Sequence, residues 1–257
     1  EYALLQATSD LYSQFQRHLL SLKNGDLLNP DALNEIAEAV QSGQSVLVCC
    51  NTVRRAQDAY RELQKRLNSE MEIILLHGRF NGKDRLAKEN AVRKATGSKS
   101  DQRKPILLIA TQVVEVSLDI DLDVIYSDPA PLEALLQRFG RVNRRRLKSC
   151  AHVYVFREPS DGQRIYSEAL VRASLVVLEK NNNIMIDESK VSEWLDEVYK
   201  DKIAESWKRE YQDAYDEFWD VILNLRAFNS DEGLEEEFYR AFDSVDVLPI
   251  NLLDEYE

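Results

Sequence analysis

Gln137, Arg141 and Arg144 recur at i, i+4 and i+7 along a segment whose spacing predicts a helix over 132–143. Arginine presents a rigid fork of donors and keeps its charge even when buried. Arginines offered by one domain to a nucleotide held by another stabilise the charge that spreads during phosphoryl transfer. Arg141, Arg144 and Gln137 are therefore the candidate catalytic set, although a basic helix facing solvent would show the same spacing. Gly140 lies among them. Glycine inside a helix costs about 1 kcal/mol relative to alanine, so the sequence predicts a close approach by a phosphate-rich ligand at that point.

Upstream, the turn SLDID over 117–121 sets Asp119 and Asp121 on either side of Ile120. Two acids in one turn supply too few oxygens for a metal. Contact with a ribose or with a neighbouring domain fits better, so Asp119, Asp121 and Gly140 form the candidate cofactor-binding set, and no metal site is expected. Thr111 and Gln112 follow one apolar run, and Asn51 and Thr52 follow another. Hydroxyls and amides beside free backbone N–H groups suit nucleic-acid phosphates, though Asn51 or Thr52 can equally cap the next helix. Arg79, in His77-Gly78-Arg79-Phe80, can meet phosphate or an acidic partner. His77 has no second His or Cys nearby to complete a metal site.

Two segments imitate nucleotide motifs. Residues 78–84 (GRFNGKD) are one residue short of a phosphate loop, and Asp84 stands where a magnesium-binding Ser or Thr would be. Residues 254–257 (DEYE) look like an acidic box with no phosphate loop upstream. Nothing in the sequence can cradle a triphosphate unaided.

The elements that would position these residues alternate. Apolar runs over 45–50, 72–76, 105–110, 123–127 and 152–156 read as strands. Helical spacing is found over 52–67, 85–95 and 132–143. Continuous apolar strands separated by helices indicate a parallel α/β sheet covered on both faces, with ligands at the carboxyl ends of the strands. The candidate residues fall at those ends. A further helix opens at Pro30, with Leu33, Ile36, Ala37 and Val40 inward. Residues 9–24 carry Leu11, Tyr12, Phe15, Leu19 and Leu22 at helical spacing, closed by Gly25, and are read as a helix. The polar stretch 97–104 is read as a mobile loop. Over 190–226, Tyr199, Ile203, Trp207, Tyr211, Tyr215, Trp219 and Ile222 recur about every four residues. Such a stripe can stack bases, but at helical spacing it is read as core. The expected organisation is a helical lead-in over 1–28, the α/β domain over 29–157, and an acidic, mainly helical region over 158–257.

The formal net charge of −12 hides an asymmetry. Residues 1–157 carry 23 Lys+Arg and 19 Asp+Glu, whereas residues 158–257 carry 10 and 26. The first part can therefore face nucleic acid while the second faces solvent or a basic partner. No apolar run reaches the roughly 18–20 residues of a membrane span, so no membrane association is expected. Cys49, Cys50 and Cys150 form neither a disulfide set nor a CxxC site, which suits a reducing cytoplasm. The chain starts without a methionine, as a fragment would.

Residues 137–144 (QRFGRVNR) resemble motif VI of superfamily 2 helicases, and 110–121 resemble motif V. With LLHGRF, VLVCCNTVRRAQDAY and the block from SLDID to QRFGRVNRR, the chain resembles the helicase half of the CRISPR-associated type I interference helicase–nuclease. The resemblance is strong over 29–157. It implies a second RecA-like domain of an ATP-dependent motor that moves 3′ to 5′ along single-stranded DNA. It also implies a metal-dependent nuclease domain and recruitment by an RNA-guided surveillance complex. Arg141 and Arg144 match arginine-finger positions, and Gln137 the residue that reads the nucleotide side. Asp119 matches the acid near the ribose, and Thr111 a DNA-phosphate contact. Asn51 and Thr52 match motif IV, and residues 77–80 the motif after it. ATP with Mg²⁺ would be held mainly by a first RecA-like domain, so this chain alone is expected to be inactive. The alternatives are the second motor domain of a DNA-repair or RNA helicase, or a catalytically silent docking module.

Overall fold

The computed structural model describes residues 8, 11, 12, 15–97, 103–115 and 118–224, with only the backbone for 220–224. The chain divides into two compact units, 1–203 and 204–257. The first unit is built on six strands: β1 (His18–Asp26), β2 (Val46–Cys49), β3 (Ile73–Leu76), β4 (Leu107–Ala110), β5 (Val124–Ser127) and β6 (Ala151–Glu158). They form one sheet in the order β1-β6-β5-β2-β4-β3, and every neighbouring pair is parallel. Its helices are α1 (Pro30–Gln41), α2 (Val53–Arg66), α3 (Gly82–Thr96), α4 (Leu132–Phe139), α5 (Glu168–Lys180) and α6 (Val191–Val198).

Strand alternation assigns each apolar side chain to one of two cores. Val46, Val48 and Cys50 join Leu33, Ile36 and Val40 of α1 and Ala56, Ala59 and Leu63 of α2. Leu47 and Cys49 turn the other way and join Val92 of α3, Leu135 and Phe139 of α4, Val177 and Leu178 of α5, and Trp194 of α6. The α/β class and the layered parallel sheet expected from the sequence are thus present. Cys49 and Cys50 are fully buried free thiols, and burial pushes the Cys49 thiol up to about 12.

Three expectations are corrected. The helix expected over 9–24 gives way to a strand: residues 18–26 are β1, paired in parallel with β6 from His18↔Ala151 to Lys23↔Phe156. On its other side, Leu20 N donates to Ile184 O, and Asn183 N donates to Leu20 O. Backbone partners on both sides outweigh the apolar spacing, and His18 and Leu20, two residues apart, are the buried positions. Gly25, at φ +81°, sits where the β1–β6 register shifts rather than at a helix end.

The helix expected over 132–143 stops at Phe139, so Gln137, Arg141 and Arg144 do not share a helical face. Gly140 caps it through its N–H to the Leu136 carbonyl, 3.0 Å away. The following residues bond instead to Leu122: Leu122 N donates to Arg141 O, and Asn143 N to Leu122 O, both at 2.9 Å. A Cβ on Gly140 would meet the Gln137 carbonyl of the helix's own backbone at 3.3 Å.

Finally, the aromatic stripe is core only at its start, where Tyr199 packs against the first unit's core. α7 (Asp201–Asn224) carries the described residues of the second unit. Along it Trp207, Tyr211, Tyr215 and Trp219 are exposed, with Tyr211 and Tyr215 stacked at 6.1 Å. Ile222 and the 254–257 segment fall where no side chain is described, as does most of the 97–104 loop.

Candidate functional site

The nucleic-acid candidates gather at the carboxyl ends of neighbouring strands. Asn51 and Thr52 follow β2, Arg79 follows β3, and Thr111 and Gln112 follow β4. Asn51 is buried and fully engaged: its side chain donates to the Pro129 carbonyl at 2.7 Å, and its backbone N–H donates to Asp128 at 3.0 Å. Gln112 Nε2 reaches across to the Asn51 carbonyl at 2.7 Å. Thr52 caps α2 by accepting the Arg55 N–H, and Thr111 is buried ahead of a short 3₁₀ turn over Gln112–Val114. Arg79 is exposed, and its backbone N–H meets His77 Nδ1 at 3.3 Å. His77 stacks on Phe80, and burial followed by the charges of Arg79 and Lys88 lowers its pKa. The residues that imitated a phosphate loop open α3 instead, where the Asn81 side chain accepts the Asp84 N–H at 2.8 Å.

The nucleotide-side candidates form a second group. Arg141 is half-buried, with Nη1 donating to Leu118 O at 2.8 Å and Nη2 to Glu115 O at 2.5 Å. Its Nε is buried with no acceptor among the described residues. Burial, then the neighbouring Arg144 charge, lowers its pKa. Arg144 is exposed and lies 3.7 Å from Asp119. Asp121 is only 2% exposed and is consumed within the chain, accepting from Arg103 at 3.1 Å and from the Arg144 N–H at 2.8 Å. Gln137 is exposed at the end of α4.

Sequence reasoning missed the residues that join the two groups. Arg138, the residue after Gln137, is fully buried and bonds to Glu115, Ser127, Asp128, Asn51 and Tyr166. Burial opposes its charge, but the surrounding acceptors more than compensate and raise its pKa. Its signal was its place on the buried face with Leu135 and Phe139. Arg55 likewise bridges Asp128 and Asp26, both at 2.7 Å, tying the ends of β1 and β5 to the start of α2.

Together these form a parallel-sheet domain whose strand ends carry polar side chains and whose arginines sit beside acidic residues. Residues 42–147 match the family model described as CRISPR-associated nuclease/helicase Cas3, C-terminal. A putative CRISPR-associated nuclease/helicase Cas3 of Methanocaldococcus jannaschii is 40% identical over 118 residues, 46% of this chain and 16% of the relative. A crystal structure of T. fusca Cas3-ADP matches with a TM-score of 0.65 and 26% identity over 79% of this chain and 26% of the solved chain. A CRISPR RNA-guided surveillance complex, pre-nicking, contains a chain that matches with a TM-score of 0.57 and 26% identity, over 79% of this chain and 27% of that one. Over residues 42–147 the chain is similar to the C-terminal region of the Cas3 nuclease/helicases. It spans about a quarter of those solved chains and less of the curated relative. Among the described residues, no helix is long and apolar enough to cross a membrane.

Proposed function

We propose that this chain is the second motor domain, with its following helical region, of an ATP-dependent helicase acting on single-stranded DNA in CRISPR interference. Arg141 and Arg144 serve as arginine fingers toward ATP·Mg²⁺ held mainly by a first RecA-like domain, with Gln137 beside them and Asp119 facing the ribose. Thr111, Gln112, Thr52 and Arg79 contribute to the DNA-phosphate side. A nuclease domain and an RNA-guided surveillance complex are the expected partners, and the cytoplasm the expected compartment. Asp121 and Asn51 support this arrangement from within, since their side chains are already committed to the chain.

The observation that carries the reading is the pairing of a half-buried Arg141 with an exposed Arg144 next to Asp119, on a chain whose match to the Cas3 C-terminal model runs through all three. Arginines aimed past an acidic turn suit a nucleotide presented by another domain. The test is ATP turnover by the intact protein and by this chain alone. Turnover by the intact protein with none by the chain supports the reading. Full activity in the isolated 257 residues would overturn it.

A further inference from the structure

Resting on that reading, we propose that Arg138 is a positioning residue that sets the finger Arg141 through Glu115, and that the Tyr166 hydroxyl completes its hold. A guanidinium has five N–H donors in one plane, and Arg138 has five acceptors around it. Nε meets Glu115 Oε1 at 2.9 Å. Nη1 meets Ser127 Oγ at 2.9 Å and the Asp128 carbonyl at 3.3 Å. Nη2 meets Asn51 Oδ1 and the Tyr166 hydroxyl, each at 3.1 Å. With every donor used and the side chain wholly buried, the plane of the fork is fixed.

Glu115 is the link. Its carboxylate binds Arg138, while its backbone carbonyl, at 2.5 Å, binds Arg141. A shift in the Arg138 plane therefore moves the peptide that aims the finger. The same fork holds Asn51, whose carbonyl anchors Gln112, so one buried residue ties the DNA-side loops to the nucleotide side. Tyr166 comes from the segment after β6, outside the helicase motifs, and gives that segment a direct hold on finger geometry.

The test compares Tyr166→Phe and Arg138→Lys with wild type in the intact protein. Phenylalanine keeps the ring and removes one acceptor. Lysine keeps the charge and removes the fork. The expected result for Tyr166→Phe is a roughly tenfold lower kcat with KM for ATP and melting temperature unchanged, because misplacing a catalytic group costs rate more than binding. Hydrogen exchange should rise around Glu115 and Arg141 while β2 and β5 stay protected. Wild-type kcat and unchanged exchange in Tyr166→Phe would overturn the proposal. So would a loss of activity that only tracks unfolded protein. If Arg138→Lys does not fold, Tyr166→Phe decides alone. A wild type without ATP turnover counts against the proposed function and not against this link, which the exchange measurement then decides by itself.

Discussion

Arg144 Nη1 lies 3.7 Å from Asp119 Oδ1, and the two side chains are 44% and 46% exposed. Such an exposed pair contributes at most about 1 kcal/mol to stability. Asp119→Ala should therefore leave the melting temperature within about 2 °C while lowering ATP affinity in the intact protein. Calorimetry and nucleotide titration on the same variant check this. A stability loss as large as that of a core mutation would show that the pair serves the fold.

Arg141→Ala should cut ATP turnover of the intact protein by about a thousandfold, the size expected for loss of an arginine finger. Single-stranded DNA affinity should stay within about twofold, a ratio that separates transition-state loss from general binding loss. Equal falls in both would assign Arg141 to DNA contact instead.

Asp128 is wholly buried against Arg55 and also accepts the Asn51 N–H. Asp128→Asn should cost roughly 3 kcal/mol, because a part-buried arginine loses one of its two carboxylates. The shift in urea midpoint measures it.

His18 is buried and bonds the Val142 carbonyl at 2.7 Å, and burial lowers its pKa to about 4. The unfolded side chain titrates near 6.5. Its contribution is present in full above about pH 6.5 and is lost as pH falls toward 4, since the unfolded state binds the proton first. Stability should decline by up to about 3 kcal/mol across that window from this residue alone. Denaturation at pH 4.5 and 7.5, for wild type and His18→Gln, checks it: the variant should have the flatter profile.

The parallel sheet was legible because its central strands are buried on both faces. Runs such as Val46–Cys49 and Leu107–Ala110 have no polar position to confuse with a helix. At the termini of that pattern the local signal misled. Leu19 and Leu22 fit a helix as well as a strand, and only pairing with β6 and with residues 183–186 decides. Arg141 and Arg144 were found as residues but not in their geometry, because the bonds to Leu122 that end α4 come from elsewhere in the chain. Arg138 escaped notice because a charged residue on an apolar face reads as a boundary until its five acceptors are seen together. The stripe on α7 shows the converse: regular spacing of aromatics does not by itself bury them.

β1 closes one side of the sheet, and its residues 18–20 are held between β6 and the 183–186 segment. A version of this domain trimmed at residue 29, where the helicase resemblance begins, would leave β6 paired with β5 alone and expose a row of unsatisfied backbone groups on its other edge. Bare edges of that kind recruit other chains. The shortest well-behaved form of the domain must therefore keep the strand that its sequence motifs do not include, and shorter forms should self-associate through β6.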